Sequence, residues 1–380
     1  MDNIFLYDKN NIDSLAVPDN EDAKYAYNYL APMIKDGVKK YIKNIDTNLK
    51  ILKIDDILLP VNNNYAEYKN SYTSSLYAHY VSYTKEELYE LKNPALEFIL
   101  KTVLDILGSF YKLFKIDKVV YVNNWFLSTN LYLELTKEQY KRITDFFKEK
   151  YPKHAVVFRS LNENLLNREI SYLKDLGYKM LGSRQVYIFD YNKRACLKGK
   201  DKNKLYKDIR LLKNSEYKVI DMENSYTKQT LKLYNQLYFD KYSKYNPQFS
   251  EEYIKLCNEN NLLNFKLLSK DNKINAVLGY YKRNHVMTTP IFGYDTTLPK
   301  DEGLYRMLSA QLVLESEQNG CTINMSSGAS KFKIYRGAIS SIEYSALYCS
   351  HLPFYRKLGY RLLFFVINKI AIPMIKSQKL

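Results

Sequence analysis

The chain has 380 residues, 46% hydrophobic and 26% charged, which is too apolar for a disordered protein and too long for one ordinary core. Its 57 Lys and Arg against 41 Asp and Glu leave a net charge of +16. That balance points to an acidic partner, whether nucleic acid, a phosphate-bearing cofactor, an acidic carrier protein or an anionic membrane surface, although an AT-rich genome would give any protein a similar bias. The four cysteines, Cys196, Cys257, Cys321 and Cys349, form no C-x-x-C pair, so neither a zinc knuckle nor a disulfide framework is expected and a reducing cytoplasm fits. The N-terminal stretch lacks the basic start and apolar run of a secretory leader. The most apolar stretch, 362–375, is interrupted by Lys369 and Pro373 and falls short of the ~20 residues that cross a bilayer.

In chain order, "LKILKIDDILLPV" (49–61) reads as a strand, and 85–114 reads as two consecutive helices separated at Pro94. An alternating series follows: strand 118–126, helix 136–151, strand 154–160, helix 164–177 and strand 184–191. Thr136 with Gln139 marks a helix start of the capping-box type, and Gly177 marks a stop. Residues 193–216 carry dense Lys and Arg around Leu205, Ile209 and Leu212, the pattern of a basic amphipathic connecting helix. The second half repeats the grammar with helices 225–243 and 251–261, a hairpin over 264–295 turning at Asp271–Asn272, helix 303–320 and strand 321–327. A return strand, "EYSALY", precedes His351. Strands alternating with helices imply an α/β (α+β) fold in two units of similar layout, 1–192 and 217–380, joined by 193–216.

The hairpin, the helix "LYRMLSAQLVLESEQNG", the strand "CTINMSS" and the stretch "SSGASKFKIYRG", taken in that order, resemble the GNAT (N-acetyltransferase) superfamily. They are similar above all to its two-domain branch, which includes FemAB-type aminoacyltransferases and related acyltransferases. The resemblance implies two GNAT-like domains, each a mixed central sheet flanked by helices, with catalysis in the C-terminal one. It implies an acyl group passing from a carrier thioester to an amine of a small molecule or peptide. The pantetheine arm of coenzyme A or of an acyl carrier protein would lie, as donor substrate and not as a resident cofactor, where "VMTTPIFGYD" and "CTINMSS" splay apart. Thr289, Ile291, Gly303 and Gly328 would line it, and Pro290 removes one ladder donor there. The turn "TTLPKDEGLYR" departs from the usual glycine-rich pyrophosphate grip, since it has one glycine beside Asp301 and Glu302. This favours a carrier protein or, in the FemAB manner, an aminoacyl-tRNA as donor.

After that second strand and its turn at Gly328, Lys333 and Arg336 are candidates to meet a phosphate or carboxylate, or else are ordinary surface cations. His351 can accept the proton of an attacking amine, Glu343 is the rival base, and Tyr344 or Tyr348 could protonate the leaving thiolate. Asp295 either orients the amine or caps the following turn. In the first half Trp125, Arg159 and Arg184 stand at strand ends, where α/β sheets bind ligands, or where two units meet. No nucleophile elbow, P-loop or histidine cluster is present, which disfavours hydrolase, nucleotidase and metalloenzyme functions. A non-catalytic nucleic-acid-binding protein is the rival from another class.

Overall fold

The computed structural model describes residues 4–192, 197, 199–239 and 241–377. Among the described residues twelve strands form one sheet: β1 (Ile4–Tyr7), β2 (Asn48–Ile54), β3 (Ile57–Asn63), β4 (Val119–Val122), β5 (Ala155–Asn162), β6 (Lys179–Phe189), β7 (Lys218–Asp221), β8 (Asn264–Lys270), β9 (Lys273–Arg283), β10 (Val286–Tyr294), β11 (Thr322–Asn324) and β12 (Ile339–Tyr348). Their spatial order is β1-β2-β3-β4-β5-β12-β6-β11-β10-β9-β8-β7.

Read from either edge, three antiparallel pairs lead to one parallel pair, β4 with β5 or β10 with β11. Each then meets the central antiparallel pair β6 and β12. The two halves are therefore mirrored in topology, as the repeated grammar predicts. They also interlock: β12, from the end of the chain, sits between β5 and β6 of the first half. The division at 193–216 is thus a division of sequence inside one continuous sheet, and its connecting helix runs over Gly199–Asn214. Residues 193–196 and 198 lie outside the described residues.

Local chemistry explains most element boundaries. The single strand expected over 49–61 is a hairpin, because Asp55 adopts the left-handed region (φ 51°), which Asp tolerates because its short polar side chain can hydrogen-bond locally. Asp271 (φ 50°) and Asn272 (φ 58°) turn β8 into β9 as expected. The Thr136–Gln139 capping box opens helix Lys137–Lys150. Pro94, which needs no N–H partner in a first turn, follows the Asn93 cap of helix Pro94–Leu113.

The core lies on both faces of the sheet. Helix Glu21–Asp36 buries Tyr29, Leu30 and Met33 against Trp125, Tyr253 and Tyr281. On one face of the first half, Val119, Tyr121, Val157 and Leu347 meet Tyr111, Tyr360 and Leu363 from the helices Pro94–Leu113 and Phe354–Phe365. Each such fully buried aliphatic side chain contributes roughly 1.5–3 kcal/mol of burial.

Candidate active site

β10 and β11 pair only from Val286–Thr288 to Thr322–Asn324. Beyond Thr288, β10 runs on to Tyr294 beside β9 alone, and its register there slips between Thr288 and Ile291. Thr289 and Pro290 therefore have no registered strand partner on either side, and Pro290 has no N–H to offer one. β11 does not continue. The chain turns through Ser326 (φ 58°), Gly328 (φ 79°) and Ala329 (φ 49°) into the short helix Ser330–Ile334. The two strands thus part at the point that the resemblance implies.

The turn is built around Lys333. Its ammonium is buried and donates to the carbonyls of Met325 (2.8 Å), Ser326 (3.4 Å) and Ser327 (2.7 Å). Burial and the positive charge of Arg184 push it down to about 7, while three carbonyl acceptors match the three protons of the charged form. The lysine is a strut of the turn, on a helix and not on the extended segment that alternation would need.

Between the halves, Arg184 of β6 and Glu343 of β12 are register partners and form a buried ion pair at 2.9 Å. Arg184 also donates to Thr129 Oγ1 (3.1 Å). Its charge acts on Lys333 and Tyr238 from the second half and on Glu87, Tyr72 and Tyr83 from the first, and the Tyr72 and Tyr83 rings pack at 4.7 Å. Further along, Tyr242 packs on Tyr238 (6.1 Å between ring centres), and Tyr305 packs on Tyr294 (6.0 Å) and edge-on to Phe332 (4.7 Å). Tyr83, Tyr238, Tyr294 and Tyr305 are half-buried and Tyr242 is exposed, so this is an aromatic wall that water reaches. Glu87 is exposed yet closely flanked by protein. That crowding raises its carboxyl to about 7, and Glu90 adds to the rise while Tyr83 and Arg184 oppose it.

No family model matches the sequence, and no curated protein does. Solved structures are similar to it. A conserved protein of unknown function from Bacteroides thetaiotaomicron aligns over 90% of this chain and 96% of its own, at 13% identity and a TM-score of 0.50. The fold shared with that protein is a mixed α/β one built on a large mixed sheet. Other similar structures are FemX (11% identity, 59% of this chain and 80% of that one, TM-score 0.45) and L-PGS from Bacillus licheniformis (16%, 59% and 77%, 0.44).

Within the sheet the residues singled out from sequence are dispersed. Thr289 lines the parting strands, and Ile291 lies beyond it with its side chain in the core. Gly328 is exposed at the turn, and Gly303 (φ 72°) caps helix Leu304–Gln318 with Leu211 so close that a Cβ would lie 2.7 Å from it. Asp301 and Glu302 occupy the turn before it. Glu343 and Arg184 meet at the centre, but Tyr344 points to the opposite side, where it packs with Leu161 and Tyr348.

His351 is not near this group. It follows the far end of β12, beyond the Tyr348–Val156 pairing, where Nε2 meets the His154 carbonyl (2.9 Å) and the ring stacks on Tyr348. Burial lowers its pKa. Arg336 is not free to fork onto a ligand: with Arg306 it clamps the buried Asp208 of the connecting helix and lies on the Phe332 ring. Asp295 caps its turn, accepting from Thr297 N (3.1 Å) and Oγ1 (2.6 Å). Arg159 donates to Thr73 O and Asn124 Oδ1, both at 2.9 Å, and Trp125 Nε1 donates to Asn123 Oδ1 (2.8 Å) inside the core. Glu87, Tyr83, Tyr238 and Tyr305 carried no signal in sequence, because only the fold brings residues so far apart to one cleft.

Proposed function

We propose that the chain is an acyltransferase that moves an acyl group from a carrier-bound thioester, on an acyl carrier protein or coenzyme A, to an amine of a small molecule or peptide. The parting of β10 and β11 after Thr288 and Asn324 carries this reading, because it leaves strand backbone without partners beside a water-accessible cleft. The donor arm lies in that gap, and the carbonyl oxygen gathers charge against backbone N–H groups. The amine attacks the thioester carbon, the C–N bond forms and the C–S bond breaks. One amine proton passes to a base and the thiolate takes a proton from an acid.

Glu87 suits the base: it is solvent-accessible, feels the charge of Arg184 and is raised to about 7. A wall tyrosine such as Tyr305 suits the acid. The Arg184–Glu343 pair, buried and mutually satisfied, positions the two halves. Asp301 and Glu302 in the turn before helix Leu304–Gln318 favour a donor held by its carrier over free coenzyme A, and they sustain the second reading, an aminoacyl-tRNA donor.

The test is to incubate the purified chain with acyl-coenzyme A, acyl carrier protein or aminoacyl-tRNA and a panel of amines, following amide formation by mass spectrometry. Amide from the carrier-protein donor, with only weak calorimetric binding of free coenzyme A, is the expected result. Low-micromolar affinity for coenzyme A would overturn the carrier preference. Tight nucleic-acid binding without transfer from any donor would replace the enzyme reading altogether.

A further inference from the structure

Helix Pro94–Leu113 is turned inside out for a protein surrounded by water. Its buried residues are Gly108 and Tyr111, whereas Phe98, Ile99, Val103, Ile106, Phe110 and Leu113 are exposed, Phe98 at 73% and Leu113 at 67%. At one residue per 100° these positions fall within about 140° of the helix, a single stripe. Helix Phe354–Phe365 does the same with Phe354, Tyr355, Leu358 and Phe365.

The helices meet where Phe114 packs on Gly359, so closely that a Cβ there would lie 2.4 Å from it. Both bury their inner sides in the same core cluster over one face of the sheet, so both outer stripes point away from it. Large apolar side chains gathered on two touching helices form a patch, not the scatter of single exposed residues that any surface carries.

The charges around the patch indicate its partner. Residues 354–377 contain Arg356, Lys357, Arg361, Lys369 and Lys376 and no Asp or Glu. Lys357, Arg361 and Lys369, with Lys112 and Lys115 at the end of the first helix, have no carboxylate partner among the described residues. Lys112 sits over the Tyr77 ring (4.9 Å) and Arg361 over Phe354 (5.8 Å). The two acids of helix Pro94–Leu113 are already neutralised, Glu97 by Lys101 (2.6 Å) and Asp105 by Lys85 (2.5 Å). A second copy docking on this face through a two-fold contact would set these cations against their own kind. A surface of anionic lipid would meet them with phosphates while taking up the apolar stripe.

We propose that this face seats the protein on an anionic membrane surface. No helix among the described residues is long and apolar enough to cross a membrane. The two helices therefore lie in the interface plane, with Phe98, Ile106, Phe110 and Phe354 at the headgroup–acyl boundary and the lysines and arginines among the headgroups. Its test reads lipid binding alone and does not depend on the transferase reading.

The full chain should float with vesicles of phosphatidylcholine and phosphatidylglycerol, bind phosphatidylcholine vesicles far more weakly, and lose affinity as salt rises. Replacing Phe98 and Ile106 together by Ser should weaken binding by roughly tenfold or more. Lys357→Ala with Arg361→Ala should weaken it by roughly fivefold per charge removed, and only on the anionic vesicles. The charge variant leaves core packing alone, so it decides the matter if the apolar one fails to melt cooperatively. Absence of flotation with anionic vesicles, equal binding to both vesicle types, or unchanged binding by a folded charge variant would each overturn the proposal. So would a concentration-dependent dimer in ultracentrifugation that Phe98→Ser abolishes, in a chain that binds no vesicles.

Discussion

Each half of the sheet has one parallel pair, and both pairs part, yet the two gaps are filled differently. β4 ends at Val122 opposite Phe158 while β5 runs on to Asn162. The space beside β4 is taken by the protein's own polar side chains: Asn124 bonds Asn62 Oδ1 (2.9 Å) and Thr73 O (3.0 Å), and Arg159 bonds both Asn124 and Thr73. Ser160 accepts from Asn130 N (3.0 Å), and all of these residues are buried. Beside β10, by contrast, Met325, Ser326 and Ser327 remain half-buried, Gly328 is exposed, and tyrosines line the way in. One gap is sealed by side chains that hydrogen-bond to one another and to the backbone, an arrangement suited to holding the fold together. The other leaves its backbone accessible, which is what the proposed transfer groove needs.

The largest effect that would sharpen this contrast is on Glu87. Glu87→Gln should lower kcat by about 10²–10⁴-fold if the carboxylate takes the amine's proton. The acidic limb of the pH–rate profile, expected near 7, should disappear with it. Stability gives an independent sign. A carboxyl raised from its ordinary value to about 7 in the folded state contributes stability below the unfolded pKa and loses it as pH rises through about 7. The variant should therefore compare best with the parent above pH 7 in thermal melts. Parent-like kinetics would move the base elsewhere in the cleft.

The sealed gap should respond in the opposite way. Arg159→Ala leaves Asn124 Oδ1 and Thr73 O without their donor in a buried site and should cost about 2–4 kcal/mol in urea unfolding. Activity per folded molecule should not change. A catalytic defect in a variant of parental stability would show the first gap to be a working site as well, and the contrast would fail.

What the sequence made legible follows from the range of the forces involved. Thr136, Pro94 and the Asp271–Asn272 turn act over a few residues, so their helices and hairpin could be placed directly. The parting of β10 from β11 was expected from the family resemblance, with Pro290 its one local support, because a missing donor is a local fact. The roles of charged residues were not legible. Arg336 looked like a ligand-binding fork, but its partner Asp208 lies 128 positions away and claims it. His351 looked like a base because histidine titrates near neutrality, but position on the strand decides, and it stands at the end of β12 remote from Glu343. Glu87, in an unremarkable acidic helix, gains its raised pKa only from walls supplied by distant segments. The interlocking of β12 between β5 and β6 is likewise a long-range pairing that no local pattern encodes.

The smallest expected effect bears on the open gap itself, at Gly328. Its φ of 79° is a region that a side chain disfavours, yet a Cβ there would find nothing within 4 Å. Gly328→Ala should therefore cost only the backbone strain, about 1–2 kcal/mol, with no packing clash. Asn tolerates the left-handed region better, so Gly328→Asn should recover most of that stability. If Gly328 serves only the turn, the two variants should rank alike in stability and in kcat/KM, with Asn close to the parent in both. If the donor arm passes against this turn, Asn should melt like the parent and still raise KM, because it restores the backbone but places a side chain in the donor's path. Parent-like KM in the Asn variant would confine the donor to the β10 side of the gap, beside Thr289 and Pro290.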